Sequence, residues 1–292
     1  MGFGIEKVMP KTALITGASS GLGVSIARRF LQQGFSLHLV ARRKKELEKV
    51  CGEFRQHKNS TVKSWVCDLA DKNERARFLN EFTQTCPHLD VLINNAACQG
   101  PIGPFGTNDL EDWQNTLNLN LLAPVHICHQ LLPLLKKAGA GVIINISGGG
   151  ATGPRPNFSA YASSKAALVR FSENLAEETR HLGIRVNCIA PGAMPTEMLK
   201  KVLEADKRNA GEKEIEQAKK VFSGPADVME KAANLALFLA SDESVGITGK
   251  LISAVWDQWE DWPKHLSELD QTDAYTLRRI TGKDRSMTWG DR

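Results

Sequence analysis

Tyr161 and Lys165 lie four residues apart in the run Tyr-Ala-Ser-Ser-Lys. That spacing puts both side chains on one face of a helix, about one turn apart. An ammonium beside a phenol favours the phenolate and draws the tyrosine's pKa, ~10 when unperturbed, toward working pH. The pair is suited to give a proton to, or take one from, the oxygen of a carbonyl/alcohol couple. Tyr-x-x-x-Lys arises often by chance, so its weight depends on a second group of residues upstream. A short apolar run, Thr12–Thr16, leads into Thr16-Gly17-Ala18-Ser19-Ser20-Gly21-Leu22-Gly23 and then into an amphipathic stretch. Glycines let a backbone turn tightly and approach a pyrophosphate, and a helix N-terminus adds N–H groups and a positive dipole end.

Which dinucleotide the loop would hold depends on the second strand. NAD-binding folds often place an acid roughly 20 residues beyond the glycines, on the adenosine ribose. Here that strand ends Leu39-Val40-Ala41-Arg42-Arg43, with two arginines and no acid. A guanidinium binds a 2′-phosphate in bidentate fashion, so NADP(H) is expected, with NAD still possible. The plainer alternative is a solvated helix start. Asp68 follows the third strand. It is placed either to accept from an adenine amino group or to cap the helix that begins near Asp71.

The elements that must position these groups follow from periodicity. Strands are expected at Thr12–Thr16, Phe35–Val40, Val62–Cys67, Val91–Asn94, Val142–Ile146, Ile184–Ile189 and Lys250–Ala254. Helices are expected at Gly23–Gln33, Lys44–His57, Lys72–Thr85, Leu110–Lys137, Ala160–Leu182 and Ala226–Ala240. Continuous apolar strands alternating with helices imply a parallel sheet covered on both faces. The fold class is therefore α/β: a doubly wound Rossmann fold of about seven strands, forming one catalytic domain over residues 1–254. Residues 193–224 carry a Lys/Glu/Ala-rich helical pattern after a strand's C-terminal end, where a substrate lid would sit over the crevice. Residues 255–292 form an extension that holds four of the six tryptophans, Trp256, Trp259, Trp262 and Trp289.

Composition narrows the class further. The 292 residues are 42% hydrophobic and 24% charged, with a net charge of +4 whose basic residues are mixed with acids, so no nucleic-acid footprint is indicated. Cysteines 51, 67, 86, 98, 128 and 188 show no Cys-x-x-Cys, which argues against a disulfide framework or structural zinc and for a reducing compartment. No apolar signal region precedes the first strand, and Leu117–Leu135 is broken by polar residues and Pro124. A cytoplasmic protein with no membrane span is expected. His126 and His129 alone do not make a metal site, and none is expected. Cys98 lacks an identifiable base that would make it a nucleophile. Aromatics in the extension either anchor it or stack on a substrate.

In order and spacing these residues resemble the short-chain dehydrogenase/reductase family, in its single-domain branch. The resemblance covers about residues 10–254. It rests on the loop 16–23, Asp68, Asn94-Asn95-Ala96-Ala97, Asn120, Tyr161-x-x-x-Lys165, and Pro191-Gly192 followed by Thr196. It implies a nicotinamide cofactor and hydride transfer to or from a carbonyl or alcohol. Tyr161 would be the acid or base. Lys165 would bind the nicotinamide ribose and lower the tyrosine's pKa. The backbone of Asn120, seven residues after Trp113, would hold a water of a proton relay. Cofactor contacts would come from Gly17, Ser19, Ser20, Gly21, Leu22, Gly23, Arg42, Asp68, Leu69, Asn94, Ala96, Pro191, Gly192 and Thr196, together with Tyr161 and Lys165. A homodimer or homotetramer acting on a small molecule is implied.

Two departures stand out. The family's substrate-orienting serine lies thirteen residues before the tyrosine, where this chain has Gly148; Ser147 is one residue earlier and is assigned the role. The rival is a true replacement by Gly148, with Thr152 or Ser159 substituting or with weak catalysis. The glycines that commonly end the last strand and serve a tetramer contact are missing as well. The alternative function is a dinucleotide-binding regulator or scaffold. A sugar epimerase or dehydratase fits less well, because those relatives have a different glycine spacing and a larger C-terminal domain.

Overall fold

The structure is a computed structural model describing residues 10–57, 61–225 and 227–289. Seven strands form one sheet in the order β3-β2-β1-β4-β5-β6-β7, and every neighbouring pair is parallel. They are β1 (Thr12–Thr16), β2 (Ser36–Ala41), β3 (Val62–Val66), β4 (Val91–Asn94), β5 (Val142–Ile146), β6 (Arg185–Ala190) and β7 (Leu251–Ser253). Helices cover both faces, so the central strands β1, β4 and β5 are mostly apolar and buried along their whole length, whereas edge strand β3 is buried only at Val62.

On one face α1 (Gly21–Gln32), α2 (Lys44–Phe54) and α10 (Val228–Leu239) pack a core that includes Ile15, Ile26, Leu39 and Leu235. On the other, α3 (Lys72–Thr85), α5 (Ala123–Lys137) and α6 (Ser159–Thr179) enclose Leu14, Phe82, Leu92 and Leu131. The expected helix Leu110–Lys137 is not continuous. It divides into α4 (Leu110–Leu117), a π-helical turn at Asn118–Leu122, and α5. The break has a local cause: Pro124 has no N–H to donate to the carbonyl of Asn120, four residues back.

The segment beyond β6 folds as α7 (Glu197–Glu204), α8 (Lys207–Ala210) and α9 (Glu212–Phe222). These helices have a small core of their own, in which Val202, Ala210, Ile215 and Ala218 close on Phe158, just before α6. After β7 the chain turns back through α11 (Leu266–Gln271). Its following segment lies along the sheet edge, where the Leu251 amide donates to the Tyr275 carbonyl at 2.8 Å. The Lys250 ammonium donates to the carbonyls of Thr272 and Ala274 at 3.3 and 3.0 Å. Trp259 and Trp262 are buried anchors of this extension, whereas Trp256 and Trp289 are exposed. Among the described residues no helix is long and apolar enough to cross a membrane.

Candidate active site

At the carboxyl ends of β1 and β4, where the winding of the sheet reverses, a cleft of about 1070 Å³ opens. This switch point is where open α/β sheets bind ligands. Its floor is the loop from β1 to α1. Gly17 sits at φ +67°, and a Cβ there would stand 2.8 Å from Asn95 Nδ2 and 2.9 Å from Ala96 Cα. A Cβ on Gly23 would stand 2.4 Å from the Gly17 carbonyl oxygen. Only glycine fits at either place, because neighbouring backbone and Asn95 occupy the Cβ position.

The loop is fastened from both sides. The Asn95 amide nitrogen donates to the carbonyls of Thr16 and Gly17 at 2.9 and 3.3 Å. The backbone N–H groups of Asn95 and Ala96 donate to Thr16 Oγ1 at 2.9 and 3.0 Å. Arg43 donates to Ser20 Oγ at 2.8 Å and to Ser19 Oγ at 3.4 Å, while Arg42 approaches Asp68 at 3.4 Å. Asp68 is not a helix cap. That task falls to Asp71, which accepts from the N–H groups of Asn73 and Glu74. Two arginines, two serine hydroxyls and a glycine-rich loop at the N-terminus of α1 fit the phosphates of a dinucleotide.

All the expected cofactor residues line the cleft except Gly23, which supports the loop from behind, and Asn94. Asn94 points into the core, donating to Asn145 Oδ1 at 2.8 Å across the β4–β5 pair. Asn145 in turn donates to Ser172 Oγ at 2.7 Å. Asn94 thus braces the central strands instead of lining the cleft.

Tyr161 and Lys165 stand on the first turns of α6 at the far end of the cleft, both buried. Lys165 Nζ donates to the Ile146 carbonyl at 2.7 Å and lies 5.7 Å from the centre of the tyrosine ring. The expected lowering of the tyrosine's pKa is not what this geometry gives. Burial pushes the phenol up, and the guanidinium of Arg155 is the charge that pulls it back. Burial also pushes Lys165 down to about 8, so its own charge is weakened.

Asn120 is fully buried within the π-helical turn, behind the cleft wall. Its side chain accepts from the Cys98 N–H at 2.9 Å and donates to the Cys98 carbonyl at 2.9 Å and Ser164 Oγ at 3.1 Å. The side chain is thereby spent on structure, joining the β4 loop to α6. Ser147 lines the cleft, yet its Oγ is sealed from solvent and has no hydrogen-bond partner among the described residues. Gly148 instead faces the tyrosine: a Cβ there would stand 2.2 Å from Tyr161 Oη.

Opposite, Pro191 and Gly192 lead to Thr196, which caps α7 by accepting from the Leu199 N–H at 3.3 Å and faces Gly21. Glu214 of α9 accepts from Arg155 Nη2 at 2.7 Å and Nε at 3.2 Å. Sequence reasoning placed Arg43 beside Arg42 at the end of β2 without the serine contacts found here, gave Asn95 only within its motif, and assigned no role to Arg155. Each works through a partner 23 to 79 residues away.

The short chain dehydrogenase family model matches residues 11–207. Human dehydrogenase/reductase SDR family member 4 is 30% identical over 242 residues, covering 83% of this chain and 85% of its own. The 3-oxoacyl-(acyl-carrier-protein) reductase FabG of Chlamydia trachomatis serovar D is 31% identical over 243 residues, covering 83% and 95%. The crystal structure of YwfH, an NADPH-dependent reductase involved in bacilysin biosynthesis, superposes with a TM-score of 0.74 at 31% identity, covering 84% of this chain and 97% of that one. A match running from β1 to the start of α8, with relatives that align over most of their own lengths, places the chain in the short-chain dehydrogenase/reductase family, as an oxidoreductase of the CH–OH/C=O couple with NAD(P).

Proposed function

We propose that the chain is an NADP(H)-preferring oxidoreductase that moves a hydride between the nicotinamide and a carbonyl or secondary alcohol, with Tyr161 as acid or base. The observation that carries this reading is one cleft holding the Tyr161–Lys165 pair at one end and Arg42, Arg43, Ser19 and Ser20 at the other. When bound, the nicotinamide supplies or accepts the hydride. The chain's residues orient the reactants and handle the proton. In reduction Tyr161 gives its phenolic proton to the carbonyl oxygen as the new C–H bond forms, and the product is the alcohol; oxidation reverses both transfers. Burial keeps that phenol protonated at neutral pH, which suits the reducing direction. Lys165 would hold the nicotinamide ribose hydroxyls, and Asn120 the relay water on its backbone carbonyl. Arg42 and Arg43 would grip the 2′-phosphate, Asp68 the adenine amino group, and Thr196 the nicotinamide amide or phosphates. Segment 193–224 acts as the lid. The NADPH named for YwfH points the same way. Six free cysteines agree with a reducing, cytoplasmic setting, and self-association as a homodimer or homotetramer belongs to the same reading.

One observation favours the second reading, a dinucleotide-binding regulator. Gly148 offers no hydroxyl beside Tyr161, and that of Ser147 is sealed. Fluorescence titration with NADPH and NADH, followed by an absorbance screen over aldehydes, ketones and polyols, separates the two. Turnover is expected, with NADPH the tighter ligand. Arg42→Asp should weaken NADPH far more than NADH. Tyr161→Phe should lower kcat by about 10²- to 10⁴-fold, the usual worth of a positioned acid. Tight binding without turnover on the whole panel would instead establish the regulator, and tighter NADH would refute the arginine argument.

A further inference from the structure

Arg155 is the charged group nearest the reacting end of the cleft that the proposed hydride transfer leaves without a task. It sits in the loop leading from β5 into α6, and its guanidinium carbon lies 4.0 Å from the centre of the Phe158 ring and 5.7 Å from that of Tyr161. Its side chain is 16% exposed and lines the cleft. Glu214 takes up one edge, accepting from Nε at 3.2 Å and Nη2 at 2.7 Å. The second edge is free: Nη1 has no hydrogen-bond partner among the described residues and is not sealed from solvent.

A guanidinium presents its donors in a rigid planar fork that matches a carboxylate. Glu214 already demonstrates that match on the Nε/Nη2 edge. With that edge clamped and the plane seated on Phe158, the group is pre-organised, and little rotamer freedom remains to be lost when a second carboxylate binds. Glu197 and Lys201 of α7 also line the cleft, whose five basic and three acidic side chains leave it net positive. That field favours an anion, and the fork supplies the direction of recognition.

Resting on the hydride-transfer reading, we propose that Arg155 anchors a carboxylate of the substrate through its Nη1/Nη2 edge, so that the substrate is a short oxo acid rather than a neutral carbonyl compound. The 5.7 Å between the guanidinium carbon and the tyrosine ring sets the scale. A carbonyl oxygen on the phenol and a carboxylate on the fork are bridged by roughly two to four carbons, given hydrogen bonds of about 2.8 Å at each end. Glu214 is then a positioning residue that aims the fork and ties it to the lid.

The test uses the NADP-loaded enzyme and two kinds of measurement. The first is calorimetric titration with succinate, which carries carboxylates but no reducible carbonyl, with butyramide as the neutral control. Wild type is expected to bind succinate saturably and butyramide not at all, with succinate affinity at least tenfold weaker in Arg155→Gln. The second is kcat/KM for succinic semialdehyde against butanal, which has the same number of carbons and no carboxylate. The acid is expected to be favoured at least tenfold, and Arg155→Gln should remove most of that ratio through KM. Equal use of the two aldehydes by wild type, or succinate affinity untouched by the substitution, would overturn the proposal. If neither aldehyde is reduced, the hydride-transfer reading is in trouble while the succinate titration still decides this one. Should Arg155→Gln not fold, Arg155→Lys, which keeps the charge but loses the fork, is expected to weaken succinate binding by several-fold; unchanged binding there would count equally against the anchor.

Discussion

Lys165 is an ammonium that the fold encloses with a single carbonyl as its hydrogen-bond acceptor. Desolvation favours its neutral form and brings its pKa from 10.5 to about 8. The unfolded chain therefore binds more protons than the folded one between about pH 8 and 10.5. Linkage makes the cofactor-free protein more stable as pH climbs through that window, and leaves it carrying the cost at neutral pH. Lys165→Met is expected to stabilise the cofactor-free protein at pH 7 by roughly 2 kcal/mol while removing activity. Denaturant unfolding of both proteins from pH 7 to 10.5 checks this: wild type should gain on the variant as the pH rises, and parallel curves would refute it. The same contrast explains what was legible at this scale. Tyr161, Lys165 and the glycine loop announce themselves by local spacing. Arg155 and Asn95 do not, because their roles exist only once Glu214 and Thr16 arrive from elsewhere in the chain. The expected effect of Lys165 on the phenol misread distance for contact: one helical turn brings the two side chains near, but the lysine turns to Ile146.

At the level of elements, the outer strands β2 and β3 are joined by a side-chain bond as well as by their ladder. Trp65 Nε1 donates to His38 Nδ1 at 3.0 Å, and His38 meets Phe82 edge-on at 4.9 Å. This bond needs a neutral imidazole. Burial, aided by Lys63, lowers the histidine from 6.5 to about 4. The unfolded chain then binds the extra proton between about pH 4 and 6.5, so stability is lost as pH falls through that range, by up to about 3 kcal/mol. His38→Gln keeps an acceptor for the tryptophan but cannot titrate. Its thermal unfolding should show a shallower loss between pH 6.5 and 4 than wild type, and an unchanged slope would assign the acid sensitivity to other groups. Central strand positions were readable because burial on both faces writes a mostly apolar run. The π-helical turn was not. A single extra residue in a helical turn leaves the apolar pattern almost intact, and Pro124 was the one residue that marked it. Helices α7 to α9 were visible as a Lys/Glu/Ala pattern, but the docking of their small core on Phe158 was not, since it joins residues far apart in sequence.

For the molecule as a whole, the extension after β7 is a strap along the last strand. Its hold combines the Leu251–Tyr275 backbone bond, the grip of Lys250 on two carbonyls, and Leu277. The Leu277 N–H donates to Glu173 Oε1 at 2.6 Å, and its side chain packs with Ala151, Val169 and Cys188. A lysine opening a strand reads in sequence as a solvent-facing group, so this role of Lys250 was hidden. Deleting residues from 272 onward removes one half-buried leucine and several hydrogen bonds, worth roughly 2 kcal/mol, and should lower Tm by about 4 to 8 °C. The bared edge should also make the protein self-associate, as sedimentation would report; an unchanged Tm with no new species would mean the strap is not structural. Ala151 lies in the loop that lines the catalytic cleft, so the strap presses on the wall of the active site from behind. The choice of where to attach a purification tag, an immobilising surface or a fused partner is therefore not neutral in this protein. A load hung on the segment after Leu277 would be felt at that wall.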